Sequence, residues 1–252
     1  MDGVVSDMAE PAPIIKAYDA IAPHYAEYSS KRGAYLDAID RLVVARLRAE
    51  HRWLDVGCGD GRRLAKIRSD AGVADVVAVE PSAEMARICH ERTGIEVHRA
   101  VAEDLASLDM GTFDRITALW NIFGHIGGSA LRITALRAMR AKLRPGGLIM
   151  LDVNNRHNAS AYGRMRVCWR RVIDAIAFRE SRGDATYDWK IGDQVFQGSG
   201  HLFTPGEMAG LFAQAGLVIQ ERCSVHYATG VVSPSPFAGQ LAFVLSAREP
   251  RS

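Results

Sequence analysis

The 252-residue sequence has no apolar run approaching the roughly 18 residues that a bilayer span needs, which excludes a membrane-spanning protein. Cysteine is sparse: Cys58, Cys89, Cys168 and Cys223 form no C-x-x-C pair and have no histidine at metal-ligand spacing. Reduced thiols and no metal are expected. An excess of one charge is also missing, since 31 Lys and Arg against 29 Asp and Glu leave a formal charge of +2. That balance argues against a dedicated nucleic-acid binder. Met1–Pro13 is acidic and short of apolar residues, unlike a signal or transit peptide, so a cytoplasmic location is expected, and the lack of a spanning run predicts no membrane partner. Lysine is rare, with 5 residues against 26 arginines. Genomic base composition accounts for such a ratio globally, whereas recognition of a planar anion requires a local arginine cluster.

What is present suits a folded enzyme-sized domain: 48% hydrophobic and 24% charged residues can build a sizeable core. Residues 14–50 read as helical, broken near Pro23. Strands and helices then alternate. Strands are expected at Arg52–Val56, Val76–Glu80, Ile95–Arg99, Asp114–Leu119 and Leu148–Val153, and helices at Arg62–Ala71, Ser82–Thr93 and Ala130–Leu143. Arg144-Pro145-Gly146-Gly147 fits a type II turn. This alternation predicts a parallel α/β sheet covered on both faces. Further on, Tyr162–Phe178 reads as one helix, with Met165, Trp169, Val172, Ile173 and Ile176 on a stripe taken as its buried face. Thr186–Phe203 reads as short strands with turns at Gly192 and Gly198, Thr204-Pro205 opens a helix to Ala215, and Val218–Val225 and Leu241–Ala247 close the chain as strands.

The most informative segment is Asp55-Val56-Gly57-Cys58-Gly59-Asp60-Gly61, at a strand-to-helix turn. Glycines there let a ligand approach the backbone and the helix N-terminus. A dinucleotide fingerprint, G-x-G-x-x-G, fails because Arg62 stands where its third glycine belongs. The pattern instead resembles motif I of the class I S-adenosylmethionine-dependent methyltransferases. Glu80, the Val101-Ala102-Glu103-Asp104-Leu105 run, Phe113-Asp114-Arg115-Ile116 and the Pro145-Gly146-Gly147 turn follow in that family's order.

The resemblance implies a Rossmann-like class I methyltransferase fold: a seven-stranded, mostly parallel sheet with an α/β lid inserted after strand five. It implies S-adenosyl-L-methionine as cofactor, held by Asp55, Gly57, Gly59, Glu80, Ala102, Glu103 and Trp120. In this scheme Glu80 accepts from both ribose hydroxyls, while Ala102 and Glu103 read the adenine, with Asp104 competing for the second role. Tyr18, Tyr25 and Arg32 resemble the N-terminal segment that folds over the cofactor, with Arg32 set against the methionyl carboxylate. Each assignment has a purely structural counterpart: a dipole partner for Asp55, a helix cap for Glu80, core packing for the tyrosines.

The acceptor is expected to be a small molecule methylated on O or N. The strand at Asp114–Leu119 is followed by Trp120-Asn121-Ile122-Phe123, without the prolines of nucleobase amino-methyltransferases. His125 is the first candidate for general base and His157 the second, because imidazole takes a proton near neutral pH. A backbone-bonded helix-start histidine is the structural counterpart for His125. Four segments are expected: a helical cover (1–50), a cofactor-binding core (51–156), a lid (157–203), and a helix with two closing strands (204–252). Arg164, Arg166, Arg170, Arg171, Arg179 and Arg182 concentrate the arginine excess in the lid, as a solvated helix face or as a site for an anionic acceptor. Monomer or homodimer is expected. A macromolecule methyltransferase and a non-catalytic cofactor-binding module remain alternatives.

Overall fold

The computed structural model describes residues 13–191 and 194–248; Gly192, read as a turn, and most of the acidic opening segment lie outside them. The cover comprises α1 (Pro13–Ile21), α2 (Tyr25–Ser30) and α3 (Gly33–Val44), with a single 3-10 turn at Pro23 between the first two. Tyr35, Leu36, Ile39 and Val43 recur on one stripe of α3 and are buried there.

The core then follows the expected alternation: β1 (Trp53–Val56), α4 (Arg62–Ala71), β2 (Val76–Val79), α5 (Ala83–Thr93), β3 (Val97–His98), β4 (Phe113–Ala118), α6 (Ile122–His125), α7 (Gly128–Ala141) and β5 (Leu143–Val153). An insertion carries α8 (Ala159–Tyr162), α9 (Arg164–Ile176) and the hairpin β6 (Asp184–Ile191) with β7 (Gln194–His201). The chain returns through α10 (Pro205–Ala215), β8 (Leu217–Val225), β9 (Val232–Ser233) and β10 (Gln240–Ala247).

The main sheet runs β3-β2-β1-β4-β5-β10-β8-β9, parallel from β3 to β5 and antiparallel beyond. It has eight strands where seven were expected, the extra one being the two-residue edge strand β9. Side chains alternate across the sheet. Leu54, Ile116, Ile149 and Leu151 pack with Leu136, Met139 and Phe212 on one face. Trp53, Ala78 and Met150 pack with Ile39, Leu64 and Ile67 on the other. Burial on both faces explains why these strands read as nearly unbroken apolar runs.

The expected helix is α9, and a short helix α8 precedes it, separated by Gly163 at φ +83. Two expectations for the insertion change. Gly198 lies inside β7 opposite Tyr187, and a side chain on it would run into that ring. The stripe taken as buried faces solvent: Met165 is 80% exposed, Trp169 68% and Ile176 81%. Polar anchors decide this orientation. Asp174 accepts from Arg156 Nε at 3.0 Å and pairs with His157 at 3.0 Å, Arg170 lies over Tyr162, and Arg171 lies over Phe237.

Candidate active site

A cavity of about 600 Å³ opens beyond the C-terminal ends of β1, β2 and β4, where a parallel sheet presents loops and helix N-termini to a ligand. Its walls include Ile14, Tyr18 and Tyr25 from the cover, the loop Gly57–Asp60, Glu80, Ala102, Glu103, Trp120 and His125. The Gly57 N–H donates to Val79 O at 2.7 Å and the residue sits at φ +73, with Ile122 where a β-carbon would go. Only glycine satisfies both demands. Gly59 leaves its backbone open under Tyr25, whose ring packs against Trp120 with centroids 5.6 Å apart.

Glu80 stands just past β2, 6% exposed. One carboxylate oxygen accepts from Gly59 N–H at 2.9 Å and the other from Ser82 N–H at 3.0 Å. Burial outweighs these two donors and pushes its pKa up to about 7. Asp55 is similar: burial raises it to about 6 although Thr117 donates to it at 2.5 Å. A buried carboxylate this poorly supplied with donors favours a ligand bringing hydroxyls, such as a vicinal diol.

Trp120 and Asn121 both adopt φ +63, a strained conformation for residues with side chains. Asp152 holds them there, taking Trp120 N–H on Oδ1 at 2.7 Å and Asn121 N–H on its backbone carbonyl at 3.2 Å. Tyr35 donates to the other carboxylate oxygen at 2.5 Å. The strain turns the chain sharply after β4 and brings Trp120 to the cavity wall. Neither Asp152 nor Tyr35 carries a local motif, and sequence reasoning missed both.

His125 is gripped from two sides. Its Nε2 lies 3.0 Å from the Tyr18 hydroxyl and its Nδ1 3.1 Å from Ser199 O of β7. A carbonyl can only accept, so Nδ1 carries the proton and Nε2 accepts from Tyr18. Burial lowers the pKa of the ring, with the Ser199 carbonyl opposing, so the neutral form is favoured. Among the described residues, the insertion reaches the cavity wall through Ser199.

Two expected site residues lie elsewhere. The Arg32 guanidinium sits 4.6 Å from the centre of the Tyr227 ring, off the cavity wall. The basic wall comes instead from Arg62, Arg63 and Lys66 of α4, with Arg63 donating to Asp40 at 2.9 and 2.7 Å. His157 also stands away from the cavity, bonded to Asp174 in the last turn of α9. A carboxylate 17 residues further on captured it, a pairing that sequence spacing does not reveal. The segment Asn154–Tyr162, which carries His157, is absent from the lining.

Residues 25–222 match a family described as a methyltransferase domain. Ubiquinone biosynthesis O-methyltransferase of Aeromonas salmonicida is 28% identical over 180 residues, covering 70% of this chain and 67% of that protein. The Aromatoleum aromaticum protein of the same name is 32% identical over 196 residues, covering 76% and 73%. Among solved structures, the CcbJ methyltransferase from Streptomyces caelestis superposes with a TM-score of 0.68 at 18% identity, covering 95% of this chain and all of that one. The DhpI–SAH complex superposes with a TM-score of 0.60 at 19% identity, covering 95% and 97%. The donor-poor carboxylate of Glu80, the open backbone at Gly59 and the aromatic wall of Tyr25 and Trp120 fit a ribose, a cofactor chain and an adenosyl group. Fold, site chemistry and relatives agree, and this chain belongs to the class I S-adenosylmethionine-dependent methyltransferases.

Proposed function

We propose that the enzyme methylates an oxygen atom of a small-molecule acceptor in the cytoplasm. S-adenosylmethionine supplies an activated methyl group on a sulfonium sulfur, so the chain needs no nucleophile of its own. Glu80 holds the ribose, Ala102 and Glu103 the adenine, and Asp55, Gly57, Gly59, Tyr25 and Trp120 the rest of the cofactor. Arg63 replaces Arg32 as the cation beside it. The observation that carries the reading is the Tyr18–His125 pair on the cavity wall. A hydroxyl must lose its proton as it is methylated, and a neutral imidazole with its tautomer fixed is suited to receive it. In this scheme the acceptor hydroxyl gives its proton to the Tyr18 oxygen while the Tyr18 proton passes to His125 Nε2. The Ser199 carbonyl holds the opposite N–H of the resulting imidazolium. Relatives named as O-methyltransferases support oxygen as the methylated atom.

The test is turnover of S-adenosylmethionine with phenol, catechol and amine acceptors, with products located by mass spectrometry. O-methyl products are expected, and His125→Ala should lower kcat by about 100-fold with unchanged affinity for S-adenosylhomocysteine. The wild-type kcat/KM should rise with pH through a value below that of an ordinary histidine and then level off, because only the neutral ring accepts a proton. N-methyl products, methyl transfer confined to macromolecules, or an unimpaired His125→Ala enzyme would overturn the proposal.

A further inference from the structure

Helix α9 sits on the protein the wrong way round for its sequence. At about 100° per residue, Met165, Trp169, Val172, Ile173 and Ile176 share one arc of the helix, and Val167, Arg170, Arg171 and Asp174 the opposite one. The body of the protein holds the second arc: Val167 is buried, Asp174 binds Arg156 and His157, and Arg170 donates to Arg156 O at 3.1 Å. The apolar arc is left to water. Phe178 extends it beyond the helix end, also half exposed. The other large apolar side chains exposed among the described residues lie outside this segment, at Leu131, Val195, Val218, Val231 and Val232. A contiguous apolar patch of this kind marks an interaction surface.

The charges around it indicate what covers it. Arg164 and Arg166 stand exposed at its start and Arg179 past its end. The segment's two carboxylates are both spent: Asp174 on Arg156 and His157, and Glu180 on Arg132 at 2.7 Å. A second copy of this face would therefore bring arginine against arginine whether the two helices ran parallel or antiparallel, with no free carboxylate to relieve it. An anionic bilayer answers both features, taking the apolar arc among its acyl chains and pairing its phosphates with the arginine rim. A tryptophan at the centre of the arc suits the headgroup boundary.

We infer that the exposed face of α9 docks the enzyme on an anionic phospholipid surface, with Trp169 and Ile176 entering the bilayer and Arg164 and Arg166 pairing with headgroups. The sequence expectation of no membrane partner rested on the lack of a spanning run, and a helix lying in the surface plane needs none. The docking is independent of which acceptor the cavity takes.

The experiment is co-sedimentation of the full chain with vesicles of phosphatidylcholine alone or with a third of phosphatidylglycerol, alongside Trp169 fluorescence. Binding is expected only to the anionic vesicles, weakening with salt, with a blue shift that Trp169→Phe removes. Arg164→Gln with Arg166→Gln should lower partitioning by about 10- to 30-fold, near fivefold per arginine. Trp169→Ala with Ile176→Ala should lower it at least about tenfold. All four positions are exposed, and unchanged affinity for S-adenosylhomocysteine verifies that the variants fold. Failure to bind anionic vesicles, equal binding to both compositions, or binding insensitive to both double variants overturns the proposal. A dimer in solution that Ile176→Glu dissociates, without vesicle binding, also overturns it and assigns the face to a second copy.

Discussion

Glu80 is enclosed by protein yet, among the described residues, receives only the N–H groups of Gly59 and Ser82, and burial holds its carboxyl near 7. In the proposed ribose role the hydroxyls need the ionised form as acceptor, so cofactor binding below pH 7 should expel a proton. The association constant of S-adenosylhomocysteine should rise by up to about tenfold per pH unit below the Glu80 pKa and flatten above it, as calorimetry in buffers of different ionisation enthalpy can measure. Glu80→Ala should weaken binding by about 10- to 100-fold and abolish the slope. A flat profile in the wild type removes the ribose role. Glu80 was legible in the sequence because it follows a short apolar strand about twenty residues after the glycine loop. Arg32 and His157, expected in the site, lie off the cavity wall, because an aromatic ring and a carboxylate distant in sequence hold them.

At the scale of elements, α10 and α9 mark the two extremes of legibility. The start of α10 is written locally: the Thr204 hydroxyl accepts from Glu207 N–H at 3.1 Å, the Glu207 carboxylate accepts from Thr204 N–H at 3.2 Å, and Pro205 opens the first turn. Thr204→Ala should cost about 1 kcal/mol and lower the melting temperature by about 2–4 °C, read by thermal denaturation. A loss no larger than that of an exposed surface variant would show that packing of Met208, Leu211 and Phe212 alone fixes the helix. Helix α9 has an equally clear amphipathic pattern, yet the pattern misleads. Periodicity identifies a stripe but not which side meets the protein, and here Asp174 and its cationic partners hold the opposite side down.

Over the whole molecule, buried carboxylates set the response to pH. Folding raises Asp55 from 3.8 to about 6 and Glu80 from 4.5 to about 7, so the folded chain binds more protons than the unfolded one between those values. Stability from these groups is greatest in acid and falls as pH rises through that window, by roughly 3 kcal/mol for Glu80 alone. The melting temperature of the ligand-free protein should drop by roughly 5–10 °C between about pH 5 and 8. S-adenosylhomocysteine at about 100 times its Kd should restore a similar amount, adding about 2.7 kcal/mol. A melting temperature that climbs steadily over this range would show that these carboxyls are better solvated than their burial implies. The sequence by itself determined the α/β alternation, the glycine loop and the acidic residue just past β2 on the cavity wall, because each depends on residues adjacent along the chain and on the periods of strand and helix. The tertiary structure alone decided the strained turn that Asp152 imposes on Trp120 and the clasp of His125 between Tyr18 and Ser199. It also decided the outward face of α9. These depend on partners 32, 107 and 74 residues away in the first two cases, and on a competition between buried ion pairs and apolar contacts in the third. Local sequence carries no information about distances across the fold.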